Sequence, residues 1–517
     1  MMVINCSKIK TKITTLILIC FIVVVHSCET VEDNPIHYTV DDLSFISFSL
    51  EGGGKICKSF LMNDSTIFIT APQGSDLSSM KASFIYTGAK VFANGEEQIS
   101  GQTINDYSDF SNPIVFRIYT DEGEYKDFKI LLFDLPVVII NTPGNVPIKN
   151  KTDWVGNSHI RIIDTDGSTM YDGETSLKGR GNVSWLSYQK KCYSLKLPEK
   201  ATLFDMKKSK RWVLLGHSGD YTKLRTPLSF KICELIGMEW SPTGKNVELI
   251  LNDTLLCNYF ICEQIRVEKN RVNITEMTPA DTLGEAITGG YLLEASVEFD
   301  EEFKFHSKYF DMPFMLKSPN DNVPNKQIAW IESFINKMEE TLINESDLRN
   351  GKYRDYLDEY SFIKWWLVSE ITTNIEESQA DKNFYMYKDR GYDSKLHASA
   401  PWDFDWGTYR AQMAEQWVCK NKKYFSRLFA NEDFCKKTKD IWNLFYPHSI
   451  EYLNEYIEEL RTNNRYSVMR DRFFFPKPTN DNPTNWDNHM SYDEGVNYIK
   501  DVLMKRMEWL NDQITSL

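Results

Sequence analysis

Several things are scarce in this sequence, and each shortage closes off a class of function. Its ten cysteines are scattered and no two form a Cys-x-x-Cys pair, which argues against a structural zinc site or a dense disulfide framework. Basic charge is outnumbered, with 59 Lys and Arg against 73 Asp and Glu and a net charge of −14. A general nucleic-acid binder needs the opposite balance, because phosphate backbones demand a basic footprint. Internal repeats and low-complexity tracts are missing. The marked apolar run, Ile13 to Val25, falls short of the about 20 residues that a transmembrane helix requires.

What is present describes a globular chain. The 517 residues are 42% hydrophobic and 13% aromatic, enough to build two or three cores rather than one. Residues 1–27 read as a targeting segment: Lys8, Lys10 and Lys12 precede the apolar run, and Ser27 stands before Cys28. Without that segment the net charge moves to −17. The arrangement resembles a bacterial lipoprotein signal, in which Cys28 is acylated and becomes the mature N-terminus. The acids Glu29, Glu32 and Asp33 that follow resemble the start of surface lipoproteins of gut Bacteroidetes. A lipid-tethered protein at the outer membrane or cell surface is therefore expected, with residues 28–37 as a short tether. The seven cysteines left after Cys28 are expected as small buried hydrophobes.

From residue 38 to 134 short alternating runs such as Ser44–Leu50, Ser65–Ile69, Ile114–Tyr119 and Phe128–Phe133 are separated by turn signals, among them Asn94-Gly95. That spacing predicts a small β-sandwich, similar to the immunoglobulin-like modules behind lipoprotein anchors. It has no histidine and only scattered acids, so it is expected to be a spacer.

Residues 135–517 are expected to form the second unit, strand-rich to about residue 320 and helix-rich after it. Strands are predicted over His159–Ile163, Thr175–Asn182, Lys190–Leu197, Arg211–Gly216, Val247–Leu251 and Tyr259–Glu263. Glu263 ends an apolar strand. A buried carboxylate there needs a cation, and Lys191 or Arg180 are the expected partners. Helical spacing marks Leu228–Ile236, Ile331–Leu342, a helix from about Tyr353 to Glu370, and two late helices, the last opened by a capping box at Ser491–Glu494.

The chemistry is concentrated in Trp402-Asp403-Phe404-Asp405-Trp406. If this stretch is extended, its rings go to one face and its two carboxylates to the other. Like charges that close repel unless a proton or a cation intervenes, and paired hard oxygen ligands suit Mg2+ or Mn2+. Some 20 residues upstream a polar loop carries Glu376, Glu377, Ser378, Asp381 and Asn383. A basic residue and a buried glutamate in a strand-rich half, then an acid–Asn loop and a metal-binding Asp, is the order of parts in kinase-like enzymes.

The segments Leu177–Asn182, Lys190–Leu197, Trp212–Leu215, Leu224-Arg225, Gly289–Glu294, Lys382–Tyr385 and Pro401–Asp405 together resemble the CotH kinase family, atypical kinase-like proteins named after a spore-coat protein. The resemblance implies an α+β fold with an atypical two-lobe protein-kinase-like domain. It also implies ATP with Mg2+ or Mn2+, and phosphorylation of serines in a protein partner. Carried over, Asp403 becomes the principal metal ligand with Asp405 beside it and Asn383 assisting. Lys191 and Arg180 become phosphate contacts, and Glu263 the orienting carboxylate. Ser378 stands where the family commonly has an Asp, so Glu376 becomes the candidate general base and Asp381 the other acid of the loop. Two alternatives accompany this reading: a kinase-derived module used for adhesion or cargo binding, and a glycan-handling protein using Asp403 and Glu376.

Overall fold

Alternating apolar positions become strands wherever one face can be buried, and three strand systems result. The computed structural model describes residues 37–72, 74–109, 111–476 and 486–517. The targeting segment, Cys28 and all of the tether but its last residue lie outside the described residues. Among the described residues no helix is long and apolar enough to cross a membrane.

The first system has nine strands: β1 (Ser44–Gly52), β2 (Lys55–Met62), β3 (Thr66–Thr70), β4 (Met80–Thr87), β5 (Lys90–Ala93), β6 (Glu96–Glu97), β7 (Ile104–Asn105), β8 (Val115–Tyr119) and β9 (Tyr125–Phe133). Strand β2 pairs with β1 through its first half and with β3 through its second, so the sheet folds over on itself there. Phe45, Phe48 and Phe84 then meet Phe116 and Phe128 from the other side, with ring centroids 5.1–6.2 Å apart. This all-β unit matches the strands expected from the sequence. Asn94 and Gly95, both at positive φ, make the hairpin turn their types predict.

The second system is a closed barrel of β10 (Val137–Asn141), β11 (Val155–Ile163), β12 (Thr169–Arg180), β13 (Cys192–Ala201), β14 (Ser209–Leu215), β15 (Gly244–Leu251) and β16 (Thr254–Glu263). Leu177, Leu195, Trp212, Leu249 and Tyr259 fill its interior. Closure comes from the parallel pairing of β10 with β15, Ile139 opposite Ile250, which leaves no open edge. The short helix α1 (Val183–Leu186) sits between β12 and β13, and α2 (Arg225–Leu235) follows β14.

The third is a five-stranded sheet of β17 (Tyr291–Ala295), β18 (Lys304–His306), β19 (Pro313–Ser318), β20 (Phe384–Lys388) and β21 (Leu396–Ala398). Three of its strands precede residue 320 and two follow it, so the strand-rich and helix-rich stretches interlock. Around it pack α3 (Asn325–Ile343), α4 (Glu345–Arg349), α5 (Glu359–Ile371), α6 (Lys423–Leu428), α7 (Glu432–Phe474) and α8 (Tyr492–Thr515). The helix expected from Tyr353 starts later. Tyr353 lies in a separate turn, and Asp358 caps α5 by accepting from the Ser361 N–H at 2.8 Å. The capping box of α8 is present, Glu494 Oε2 accepting from Ser491 N–H at 2.9 Å and Ser491 Oγ from Glu494 N–H at 3.3 Å.

Two buried ion pairs lock these parts. Arg506 of α8 donates to Glu370 at 2.6 Å, and the same carboxylate accepts from the backbone of Val418, Cys419 and Lys420. This fixes the C-terminal end of α5, from which the polar loop emerges. Arg470 of α7 pairs with Glu248 at 2.6 Å and also donates to the Leu132 carbonyl, tying the all-β unit to the barrel. The seven described cysteines are free and all but Cys435 are buried.

Candidate active site

The Trp402–Trp406 segment is a loop rather than the expected strand. Asp403 has φ +72°, a left-handed conformation that Asp adopts more readily than most side chains, and one such residue breaks a two-residue alternation. Burial still separates the types: Trp402 and Phe404 are buried against Phe230 of α2, centroids 5.7 and 6.1 Å away, while Asp403 is exposed and Asp405 half-buried. The rings anchor the loop, and the carboxylates are left facing a recess.

Asp403 and Asp405 stand side by side and act on each other, Asp405 raising the Asp403 carboxyl. Loss of surrounding water pushes both carboxyls above the ordinary range, and Glu376 adds a like charge to each. Asp403 is open to solvent by surface yet has enough protein around it for desolvation to dominate.

Backbone contacts bring the polar loop to this pair. Gly407 accepts from the Ile375 N–H at 3.1 Å, and a Cβ on Gly407 would lie 2.8 Å from the Ile375 side chain. Glycine is what allows the two loops to touch. Glu376 Oε1 then accepts from Lys382 Nζ at 2.8 Å, and Oε2 from Asn383 Nδ2 at 3.4 Å. Although burial works against it, Glu376 and Asp403 hold the Lys382 ammonium above its usual range. On the barrel side, burial and then Asp405, Asp403 and Glu376 push the Tyr188 hydroxyl well up. Arg180 stands 5.4 Å over the Trp402 ring.

Four predicted residues thus meet, Glu376, Asn383, Asp403 and Asp405, with Arg180 at their margin. Three others are engaged elsewhere. Lys191 donates to the Trp185 carbonyl, and Asp381 pairs with Lys423 at 3.4 Å. Glu263 pairs with Arg271 at 3.7 Å and accepts from Thr243, not with Lys191 or Arg180 as expected. Arg180 lies on β12, three strands from β16 around the barrel, roughly 14 Å at the usual strand spacing, whereas the turn after β16 brings Arg271 straight back. The Gly-Arg-Gly stretch also has a local cause. A Cβ on Gly179 would meet the Trp185 ring at 2.5 Å, so the close approach is to this chain's own tryptophan.

Sequence reasoning missed the groups behind the site. Asp220 raises and Lys223 lowers the Asp405 carboxyl, after burial. Buried Lys223 pairs with Asp471 of α7 at 2.9 Å, and Lys190 shares that carboxylate. Asp220 pairs with Arg225 at 2.8 Å, and Arg225 also reaches Asp487. The only signal was three charges in one short turn, which reads equally as a solvated loop. Glu377 was also unassigned: it is fully buried, accepts from Ser369 Oγ, and burial raises its pKa far above normal.

Fold and site together define an α+β protein with an acid-bearing recess where a barrel, a mixed-origin sheet and a helical bundle meet. The pattern of the family described as CotH kinase protein matches residues 177–510, and the chain belongs to that family. The match includes Arg180, Glu376, Asn383, Asp403 and Asp405. A comparison with curated proteins gave no match. Among solved structures, a candidate glycoside hydrolase from Bacteroides thetaiotaomicron aligns at 14% identity over 56% of this chain and 88% of its own, with a TM-score of 0.17. A superposition that poor carries no argument about fold or activity. Membership of a kinase family implies nucleotide and metal use in general. Among the described residues no three His, Cys, Asp or Glu side chains are arranged to hold a metal.

Proposed function

We propose that the protein is a lipid-anchored, surface-exposed CotH-type kinase that transfers phosphate from ATP, with Mg2+ or Mn2+, to hydroxyls of a protein partner. The observation that carries this reading is the adjacent Asp403–Asp405 pair with Glu376 beside it. Two hard carboxylates held this close repel each other and suit a divalent cation, which would relieve that repulsion. Asp403, Asp405 and the Asn383 carbonyl would hold it; its chemistry there is neutralisation of charge on the transferring phosphoryl group. Glu376 would take the acceptor's hydroxyl proton as the oxygen attacks phosphorus and the bond to ADP breaks. Lys382 orients that carboxylate, and Arg180 is the cation placed to meet a phosphate. Lipid attachment through Cys28 is supported by the charged and apolar segment before it. The all-β unit, immunoglobulin-like in this reading, is the spacer.

Phosphoserine mapping by mass spectrometry after incubation with Mn-ATP and candidate surface proteins tests the reading. Label on the partner with wild type, and at least a hundredfold less with Glu376→Gln, is expected. Equal labelling by both would reject Glu376 as base. A second reading, a kinase-derived adhesion module, is favoured by one observation: both carboxylate oxygens of Glu376 already accept hydrogen bonds, from Lys382 and Asn383.

A further inference from the structure

The outer face of the barrel carries cations that, Arg180 apart, the site above does not use. Along β12, Leu177 and Gly179 are buried and Lys178 and Arg180 face outward. On β14 Trp212 points in, and Arg211 out, with exposed Lys196 beside it in register. Lys178 Nζ lies 5.1 Å and the Arg211 guanidinium 4.7 Å from the ring of Trp154, so both cations are gathered on one half-buried indole. Burial, then Arg211 and Arg180, depress the Lys178 ammonium; the acids acting on it, Glu301 and Asp153, rank behind those two. Burial and Arg266 do the same to Arg211. Among the described residues none of Lys178, Arg180, Arg211 and Arg266 makes an ion pair. Next to Arg266, buried Arg271 is already compensated by Glu263 at 3.7 Å and Glu268 at 4.0 Å, whereas Arg266 Nε has no hydrogen-bond partner among the described residues.

Like charges drawn together at a cost, in a chain of net charge −14, call for an anion. We propose that this face, Lys178 and Arg211 on Trp154 with Arg266 near Arg211, binds an acidic segment of the phosphoryl acceptor and leads it past Arg180 to the recess. Length favours a peptide over a nucleotide's phosphates. From Arg180 to Arg211 is two strand spacings plus an offset along the sheet, more than 10 Å. An extended chain covers that with about four residues at ~3.4 Å each, presenting a carboxylate to successive cations. Arg and Lys beside an aromatic also suit carboxylates, through charge-assisted hydrogen bonds.

The inference rests on the phosphotransfer reading for its acceptor, but its test is separate. A fluorescein-labelled peptide of about eight alternating Glu and Ser residues is titrated with the full-length protein, without nucleotide, and followed by anisotropy. Wild type and Asp403→Asn should bind alike, with affinity falling as salt rises. The Lys178→Ala/Arg211→Ala variant, with its fold checked by circular dichroism, should bind at least tenfold more weakly. It should still give the wild-type thermal shift with Mn-ATP. No peptide binding by wild type, or equal binding by the double variant, overturns the proposal. So does competition of Mn-ATP with the peptide together with loss of the nucleotide shift in the double variant, which would make this face the nucleotide's own. Loss of that shift in Asp403→Asn alone bears on metal binding, not on this face.

Discussion

Lys382 Nζ lies 2.8 Å from Glu376 Oε1, and the same ammonium is the opposite charge acting on Asp403. One lysine therefore serves as counter-ion to both the candidate base and the candidate metal ligand. Lys382→Ala should lower metal-free stability by on the order of 1 kcal/mol, discounted because the side chain is about a quarter exposed. Added Mg2+ should restore part of the loss. Urea unfolding at neutral pH with and without the ion measures both.

The aspartate pair makes the folded chain hold its protons more tightly than the unfolded chain does. Raised carboxyl pKa values mean that stability is fully present below the ordinary Asp value of 3.8 and is lost as pH climbs toward the raised values. Asp403→Asn removes the repulsion. It should raise the metal-free Tm by a few degrees at pH 8, leave it unchanged at pH 4, and abolish stabilisation by Mn2+. Thermal scans across that range decide it.

At the junction of the all-β unit and barrel, burial drives the Asp134 carboxyl up to about 7, with Arg470 opposing and Glu248 assisting. Its Oδ1 has no hydrogen-bond partner. The same sign applies: stability falls between the ordinary Asp value and about 7. Asp134→Asn should raise Tm by about 2–4 °C at pH 8, the shift that ~1 kcal/mol gives a domain of ordinary size, and by nothing at pH 4.

Glu377 offers a contrast. Burial pushes its carboxyl well up, toward the protonated form, and Ser369 Oγ donates to it. Glu377→Gln exchanges one neutral group for another of the same shape and should change unfolding free energy by less than about 1 kcal/mol at pH 7. Arg506→Met should cost about 3–5 kcal/mol, because it strands Glu370 as a buried charge. Denaturant midpoints compare the two.

Much of the fold was legible because local periodicity reports local burial. The barrel strands from His159 to Glu263, the turn at Asn94-Gly95 and the cap at Ser491 all follow from short stretches. What local pattern does not report is pairing across distance. The β10–β15 contact that closes the barrel joins residues more than 100 apart, and the late strands β20 and β21 join a sheet begun before residue 320. At the site, three acids in one loop look alike in sequence. Only the fold shows Glu376 turned to Asp403, Glu377 buried and Asp381 drawn to Lys423. The alternation of Trp402–Trp406 separated rings from carboxylates for a partly wrong reason. Burial of Trp402 and Phe404 against Phe230 does what a strand was expected to do.

Isothermal titration of the metal-free protein with Mn-ATP tests the central claim most directly. A saturable heat in wild type that disappears in Asp403→Asn is predicted, with proton release on binding because a cation opposes the raised carboxyls of the pair. Absence of heat in wild type, or an unchanged isotherm in Asp403→Asn, would contradict a nucleotide–metal role for this recess.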